Sequence, residues 1–550
     1  MDRNHAAGKN IMDRRRFVIN AGLAAAGSAF GCSMVGCEVV VDESSIPCLS
    51  AVKASAPVAA MTYIRASEIG CALDCDLEFG WNKHTLGGEA TDDGPRITAA
   101  MAGASASNPI TLIIDGSALI SGLFLPAGGY WSIVGQGCGT GFFVKKGTNN
   151  DGIHNGGPNA NVTSDSGPPA PARGSNVLLS SFTLNGNQGN GHSGDSTTGD
   201  QRGNITAGPW YFGINLMDLN NITIENVVVV NSPAYHIRLS NVGNVTVSGC
   251  VLKSSGPSTD GLHFDAPAND ITISNCDITS DDDAIALNCP EGCTGNISRV
   301  TVTNCTFNSY DLMRLYTKIW TGYPSNFSID TVTVSNCSGK FVEAGFLIGQ
   351  GSDNIPNSIA SLTVSNCTLT APAILDISTN FGAITLSNVT LIPSNSNQAP
   401  GYALVRTEPL LIGMTYVGSS LSITNCVISR NANYDVAALI LESNSTINNL
   451  EFNGFAVQDP PGSSYTKAQE LLNIVSGSVG QLVIDTVDST RIKAPVSAGG
   501  FSNIGSVSGA GVLATGWEFP DAVMANGVPY ISASTGLPSI KVNGVVKPYP

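Results

Sequence analysis

Short segments in which apolar residues alternate with Thr or Ser recur along the chain from residue 222 onward. Such alternation has a period of two, so it predicts β-strands that turn one face toward a core and the other toward solvent. Most copies end in Asn followed by Cys or Val. The eight copies begin at Ile222, Val245, Ile271, Val300, Val332, Leu362, Ile384 and Leu421.

The spacing of these copies predicts a solenoid rather than a set of separate domains. Successive copies are 23, 26, 29, 32, 30, 22 and 37 residues apart, as measured at the final Cys or Val. Intervals of this size are typical of one coil of a repeat fold with loops of variable length. The pattern therefore predicts an all-β, single-stranded parallel β-helix, in which Asn occupies a corner because it tolerates a left-handed backbone.

One repeat position is filled mainly by cysteine. Because Val occupies the same position in two copies, we interpret it as a small buried hydrophobic position rather than a metal or disulfide ladder. The chain has 14 cysteines, and six share this position: Cys250, Cys276, Cys305, Cys337, Cys367 and Cys426.

Two Cys-x-x-x-Cys pairs lie outside the repeat, in loop-like sequence. They are Cys71 with Cys75 and Cys289 with Cys293. Outside the cytoplasm, disulfides are the expected interpretation, because a metal would need two further ligands that the neighbouring sequence does not supply.

The ends of the repeat array carry different sequence. Residues 97–104 have a helical pattern and follow Asp-Asp-Gly-Pro, which predicts a helix that caps the open end of the solenoid. We expect a linker and N-terminal extension at 38–84, the β-helix at 85–515, and a tail or cap at 516–550.

The N-terminal residues 1–37 are predicted to be an export signal. Arg14, Arg15 and Arg16 precede an apolar stretch at 20–30, which resembles a twin-arginine signal. Cleavage before Cys32 or Cys37 would produce a lipoprotein, and the alternative is a plain signal that is cut near residues 31–37. The expected location is the periplasm, the cell exterior, or the envelope through a lipid anchor.

Charge and composition exclude several function classes. The 42 acidic and 26 basic residues give a net charge of −16, which opposes binding to a nucleic-acid backbone. The only apolar stretch near membrane length is N-terminal, so a multi-span membrane protein is excluded. A capped solenoid needs no partner subunit, and we expect a monomer.

An acidic cluster is the main candidate for chemistry. Asp260 lies 22 and 23 residues before Asp282 and Asp283, close to the length of one coil, so stacking should bring these carboxylates together. Mutual repulsion among such carboxylates raises at least one pKa, and glycoside hydrolysis needs one protonated and one ionised carboxyl group. The alternatives are calcium binding and an Asp-rich solvated turn.

At these positions the chain resembles glycoside hydrolase family 28, the polygalacturonases and their relatives in the pectate-lyase-like β-helix superfamily. The matching motifs are Asn231-Ser232-Pro233, Ser258-Thr259-Asp260-Gly261 and Asp282-Asp283-Ala284-Ile285-Ala286. The resemblance implies a right-handed β-helix and inverting hydrolysis of a pectin-like polysaccharide without a cofactor or metal. In that mechanism the general acid would be Asp282, and Asp260 with Asp283 would position and deprotonate the attacking water.

The chain departs from the family pattern at several positions. Ser258 replaces an Asn, Asp281 replaces a Gly, and no Gly-His-Gly follows the Asp pair. The next coil instead carries Arg314, Tyr316 and Lys318, which resemble the family's later basic motif. Arg314 and Lys318 are candidates to bind a uronate carboxylate, and the alternative is a structural ion pair with the Asp cluster.

His263 is a further candidate at the substrate site. It follows Asp260 by three positions, so in an extended strand it should face away from that carboxylate and pack or line the rim. Three function classes remain open: a hydrolase, a polysaccharide lyase in which Lys or Arg abstracts a proton with calcium present, and a non-catalytic glycan-binding surface protein.

Overall fold

The computed structural model describes residues 61–85, 88–148, 150–155, 170–188, 211–256, 258–317, 327–349, 359–394, 401–407, 415–442, 444–465, 469–492, 494–497 and 500–550. All of them belong to one unit, residues 48–550. The predicted export signal, Lys318 and residues 156–169 and 189–210 lie outside the described residues. In the described part of the chain, no helix is long and apolar enough to span a membrane.

The described strands confirm the prediction of a right-handed parallel β-helix. Each coil contributes strands to three parallel ladders, and these ladders enclose the core. We name them I, II and III in chain order, beginning with the ladder that contains the repeat phrase. Ladder I contains the repeat phrase itself, so stacking pairs Ile222 with Val245 and Ile271 with Val300. Several strands are long enough to turn a corner and belong to two ladders.

Ladder I contains the strands Thr62–Arg65, Ile110–Ile114, Gly129–Gly135, Gly174–Ser180, Ile329–Ser335, Ile359–Ser365, Phe381–Ser387, Gly477–Thr486 and Ile504–Ser508. Ladder II contains Ser117–Ile120, Gly141–Val144, Thr183–Asn185, Val228–Val230, Val251–Lys253, Asp277–Thr279, Thr368–Ala371 and Thr390–Pro393. Ladder III contains Leu123–Leu125, Ile153–Asn155, Ala373–Ile377, Tyr402–Thr407, Val436–Leu441, Gln469–Ile474 and Ala494–Val496. The strands Ile214–Glu225, Ile237–Ser248, Leu262–Ser274 and Asp283–Thr303 join ladder III to ladder I, Thr306–Tyr316 and Ser338–Gly349 join II to III, and Val417–Ser429 and Ser445–Gln458 join I to II.

The corner between ladders I and II has the predicted geometry. Seven repeat asparagines adopt a left-handed backbone there: Asn226, Asn275, Asn304, Asn336, Asn366, Asn388 and Asn425. The one copy without Asn has Gly249, also with a positive φ of 61°. The six repeat cysteines that follow are free thiols and belong to the continuous apolar core. Their interpretation as small buried hydrophobic residues is confirmed.

The helix near the N-terminus is shifted relative to the prediction. It spans Gly94–Met101, three residues earlier than expected, because Pro95 suits the first helical turn. Ile97 and Met101 point into the core. Its role as a cap stays a prediction.

The C-terminal residues depart from the coil pattern. The four strands Glu518–Phe519, Pro529–Ser532, Pro538–Val542 and Val545–Pro548 form a separate small sheet in which two of the three pairings are antiparallel. The short 3-10 turn Leu513–Thr515 lies between the last coil and this sheet. Two further 3-10 turns, Gly500–Asn503 and Asp521–Val523, precede the strand Ile504–Ser508 and follow the strand Glu518–Phe519.

Candidate active site

The three predicted carboxylates meet where the chain enters ladder III. Asp260 ends the loop before the strand Leu262–Ser274, and Asp282 with Asp283 occupies the same place one coil later. Leu262 pairs with Ile285, so the two coils are direct neighbours. One oxygen of each carboxylate lies within 4.8 Å of one oxygen of the other two. The spacing in the sequence therefore placed these groups correctly.

Backbone hydrogen bonds fix the two turns against one another. The amide of Ser258 donates to Asp282 Oδ2 at 3.0 Å, and the amide of Gly261 donates to the Asp283 carbonyl at 3.0 Å. Ser258 itself has a φ of 57°, in the left-handed region. Asp260 and Asp283 are buried, whereas Asp282 is partly exposed. Asp282 is thus the most solvent-accessible member of the cluster.

His263 contacts Asp260 directly, which corrects the expectation that it faces away. Its Nδ1 lies 2.7 Å from Asp260 Oδ2, and its Nε2 lies 2.9 Å from Asp265 Oδ1. The alternation argument failed because Asp260 lies in the turn before the strand, where the period of two does not apply. As predicted, His263 is packed, with 1 % of its surface exposed.

Arg238 extends this chain of contacts beneath the cluster. Its Nε donates to Asp265 Oδ2 at 2.7 Å, and its guanidinium lies 5.3 Å from the centre of the Phe212 ring. Burial alone would raise the pKa of Asp265, but Arg238 and then His263 outweigh it, so the pKa is lowered. Asp265 therefore stays ionised between two cationic or hydrogen-bonding partners.

Aromatic rings cover the histidine on its outer side. The Tyr235 ring stacks on His263 with centroids 3.8 Å apart, and Phe212 stacks on Tyr235 at 5.1 Å. The imidazole is thus held by a flat ring as well as by two carboxylates. Its position is set by packing, which restricts Asp260 to one orientation.

A second histidine lies behind the cluster but has a different role. His236 is buried, and its Nδ1 lies 2.8 Å from the backbone carbonyl of Asp260. Burial lowers its pKa to about 4, although nearby backbone carbonyls oppose the shift. His236 is therefore neutral at pH 7.

The sequence analysis did not identify Arg238 and Asp265. The coil alignment contains a signal for Arg238, because it pairs with His263 on ladder III. Arg238 lies seven residues before Val245, but His263 lies eight residues before Ile271, since the pairing shifts register between Ser240 and Val242. Because of this register shift, Arg238 and His263 do not align when the coils are aligned by the repeat phrase alone.

Arg314 lies at the same stacked position as His263, two coils further along the chain. It pairs with Ala286, which in turn pairs with His263. Its Nη1 lies 3.8 Å from Asp283 Oδ2, and its guanidinium lies 4.3 Å from the centre of the Tyr316 ring. Asp311, which pairs with Asp283, is buried and accepts a hydrogen bond from the Ala344 amide. Arg314 therefore makes an ion pair with the Asp cluster, as the structural alternative expected.

Neither predicted disulfide is formed. Cys71, Cys75, Cys289 and Cys293 are all free thiols. Cys71 packs in the main core, whereas Cys75 belongs to a separate small cluster with Phe143, and Cys289 donates to the Gly295 carbonyl at 3.0 Å. Spacing along the chain could not reveal that the two thiols of the first pair lie in different clusters.

The three clustered carboxylates could also hold a cation, because their oxygens are mutually close and hard cations prefer such ligands. Two neighbours already supply compensation, since His263 contacts Asp260 and Arg314 lies near Asp283. The donor set is therefore not specific for a metal, and it equally suits acid–base chemistry.

Comparison with known proteins agrees with this location. Residues 153–309 match the family model of glycosyl hydrolases family 28, and this segment contains all three carboxylates. A probable polygalacturonase of Arabidopsis thaliana is 26 % identical over 164 residues, a match that covers 24 % of this chain and 36 % of that protein.

Two solved structures share the fold at low sequence identity. A tailspike protein of E. coli bacteriophage HK620 is 10 % identical, with a TM-score of 0.51 over 79 % of this chain and 77 % of the tailspike chain. The surface protein and adhesin PfbA of Streptococcus pneumoniae is 12 % identical, with a TM-score of 0.50 over 75 % of this chain and 100 % of the PfbA chain. The resemblance to glycosyl hydrolases family 28 is thus confirmed for residues 153–309, and this segment lies within the right-handed parallel β-helix.

Proposed function

We propose that this protein hydrolyses glycosidic bonds in a pectin-like polysaccharide, a galacturonan or a related chain. The observation that carries the proposal is the approach of Asp260, Asp282 and Asp283 within 4.8 Å at one turn of the helix. Glycoside hydrolysis needs one carboxyl group as acid and another as base, and three carboxyl groups at this distance supply such a set. The match to a hydrolase family supports the same conclusion.

The exposure of each carboxylate suggests its role. Asp282 is the accessible member, so we assign to it the protonation of the leaving oxygen. Asp260 and Asp283 lie deeper, and a gap of this size suits one water that donates to both at about 2.7–2.8 Å. His263 contacts Asp260 and Arg314 pairs with Asp283, so both carboxylates are held in place for the role of base.

The separation of the carboxyl groups bears on whether hydrolysis inverts or retains the configuration at the anomeric carbon. Carboxyl groups of inverting glycosidases are about 6.5–9.5 Å apart, whereas here one oxygen of each lies within 4.8 Å of the others. We propose inversion nonetheless, with the water held by two bases beside the acid. Proton NMR of the first-formed anomer tests this directly, and retention of configuration would contradict it.

The test of the proposed function is Asp282→Asn in the full chain, assayed on polygalacturonate, rhamnogalacturonan and neutral polysaccharides. We expect release of reducing ends by the wild type and a loss of at least about a thousandfold in the variant, with glycan binding retained. Asp277→Asn is the matched control, because Asp277 is an exposed carboxylate on the same coil that pairs with Lys253. Equal turnover by Asp282→Asn and the control would refute the proposal.

Two other outcomes would identify the alternative classes. Calcium-dependent products that absorb ultraviolet light would indicate a lyase. Glycan binding without turnover, unchanged by Asp282→Asn, would indicate a binding protein. The coil after the Asp pair favours that second candidate, because Arg314 lies 3.8 Å from Asp283 and is largely buried, so it is not free to bind a uronate.

Export through the twin-arginine route, with or without a lipid anchor, is also a proposal, as is the monomeric state. Replacement of Arg14 and Arg15 by Lys should retain the protein in the cytoplasm. Fractionation and mass spectrometry of the mature N-terminus measure the location and any lipid, and unchanged export would contradict the proposal.

A further inference from the structure

A second concave site lies on ladder III, away from the Asp cluster. A cavity of about 310 Å³ opens among the strands Tyr402–Thr407, Val436–Leu441 and Gln469–Ile474. Five steps of strand pairing separate the strand that begins at Asp283 from the strand Val436–Leu441. At about 4.8 Å per step this is about 24 Å, so the cavity is distinct from the proposed active site.

The lining combines an apolar floor with acidic and amide groups. Ala437 and Ile440 form part of the floor, while Asp435, Glu470 and Asn473 contribute polar atoms. Ala437 pairs with Glu470 and Ile440 pairs with Asn473, so the polar groups sit directly beside the apolar ones on the adjacent coil. Among the described residues of the lining are two carboxylates and no basic side chain.

The polar side chains of this cavity differ in their contacts with the described residues. Neither the Glu470 carboxylate nor the Asn473 amide has a hydrogen-bond partner in the part of the chain that the structure describes. Glu470 is half-buried, and burial, followed by the charge of Asp435, raises its pKa. A partly desolvated carboxylate is costly without donors, so a ligand with several hydroxyl groups would stabilise it.

An aromatic ring completes the site. Tyr402 lines the cavity and packs against Tyr434, with ring centroids 4.4 Å apart and planes inclined by 46°. A pyranose ring presents hydroxyl donors at its edge and C–H groups on its face, which match carboxylates and an aromatic or aliphatic floor. The volume is at the lower end of the range for small-molecule sites, about 300–1,000 Å³, which fits one or two sugar units.

We propose that this cavity, which we call the Glu470 pocket, binds a neutral saccharide, with Glu470, Asp435 and Asn473 receiving and donating hydrogen bonds to its hydroxyl groups. A uronate is disfavoured because its carboxylate would face the like charges of Asp435 and Glu470 among the described lining residues. The pocket does not depend on hydrolysis at the Asp cluster. It would hold a neutral part of a glycan about 24 Å from that cluster.

The test is calorimetric titration of the full chain carrying Asp282→Asn, so that no probe is hydrolysed. The probes are xylotetraose and galactotetraose as neutral sugars, tetragalacturonate as an anionic one, and calcium chloride alone. We expect a neutral tetrasaccharide to bind, with affinity reduced at least about tenfold by Glu470→Ala. The matched control is Glu451→Ala, a carboxylate in the strand Ser445–Gln458 on the ladder I side.

Further variants separate recognition from folding. Glu470→Gln keeps the shape of the side chain and guards against loss of fold, which is checked by thermal unfolding. Glu470→Lys should weaken neutral binding and add a tetragalacturonate site, which appears as increased stoichiometry. The proposal is overturned if no neutral probe binds, if Glu470→Ala and Glu451→Ala bind neutral probes equally, or if Glu470 is required only for calcium. Binding is measured without turnover, so an inactive Asp cluster would not affect the outcome.

Discussion

The corner between ladders I and II and the turn between ladders II and III are made once per coil, yet they differ in how closely they repeat. At the first, Asn with left-handed backbone precedes a buried Cys or Val in coil after coil. At the second, the stacked positions change from Asp283 to Asp311 to Ala344. The same residues recur at the first corner because each has only to stack on its counterpart in the neighbouring coil. Departure from repetition marks the places where the solenoid carries charge and chemistry.

The largest expected effect comes from the buried ion pair under ladder III. In Arg238→Leu, Asp265 loses its guanidinium partner while it remains buried, which costs about 3–5 kcal/mol of unfolding free energy. Chemical denaturation measures the loss. Lys253→Met breaks the more exposed pair with Asp277 and should cost about 0–1 kcal/mol. Equal losses in the two variants would show that the ladder III face is no more sensitive than the rest of the surface.

The pH dependence of stability tests the buried titratable groups on and beside ladder III. Burial lowers the pKa of His154 to about 4, so between about pH 4 and 6.5 the unfolded chain binds a proton that the folded chain does not. Stability therefore rises with pH in this window. His154→Leu should reduce that slope by up to about 1.4 kcal/mol per pH unit, measured by denaturation at several pH values.

Asp151 provides the opposite sign in the same region. Burial raises its pKa to about 6, against hydrogen bonds from Asn215 and Phe212, so the folded chain holds an extra proton between about pH 3.8 and 6. Its contribution to stability falls as pH rises, and Asp151→Asn should steepen the overall increase. Slopes that change in the same direction for Asp151→Asn and His154→Leu would contradict both assignments.

The repeat corner should respond to backbone conformation rather than to charge. Asn304 has a φ of 56°, so Asn304→Ala should cost about 1–2 kcal/mol because Ala disfavours that region. Asn304→Gly is the matched control and should lose less, since Gly adopts this backbone readily. Thermal unfolding compares them, and a Gly variant as unstable as the Ala variant would show that the Asn side chain matters more than its backbone.

The smallest effect is expected inside the corner. Cys305 is a buried free thiol in the position that Val fills in other coils, so Cys305→Val should cost less than about 1.5 kcal/mol. Denaturation of the purified variant measures this cost. Cys305 Sγ lies 3.3 Å from the Thr303 carbonyl and accepts from the Cys276 amide at 3.4 Å. A loss above about 3 kcal/mol would mean that these contacts stabilise the fold more than a generic core group does.

The coil architecture could be predicted in some detail from the sequence. Period-two alternation, an interval near one coil, and Asn beside Cys together specify parallel strands that stack like on like. The approach of Asp260 to Asp282 and Asp283 followed from the same interval. Each of these inferences depends on local repetition, which the sequence shows directly.

Other parts of the site escaped the sequence because they depend on departures from the repeat. The contact of His263 with Asp260 arises in a turn, where alternation gives the wrong side. The link to Arg238 is hidden by a shift of strand register. The thiols of the predicted pairs could be placed only after their surrounding packing was known.

The sequence by itself determined the repeating coil, the identity of its buried positions and the turn at which the carboxylates meet. Each of these is a property of neighbouring residues or of one constant interval along the chain. Only the tertiary structure decided which carboxylate is exposed, which cations lie beside the buried ones, and that Tyr402, Asp435 and Glu470 surround one cavity. These features depend on contacts between side chains of different coils at irregular turns. No local pattern in the sequence predicts such contacts.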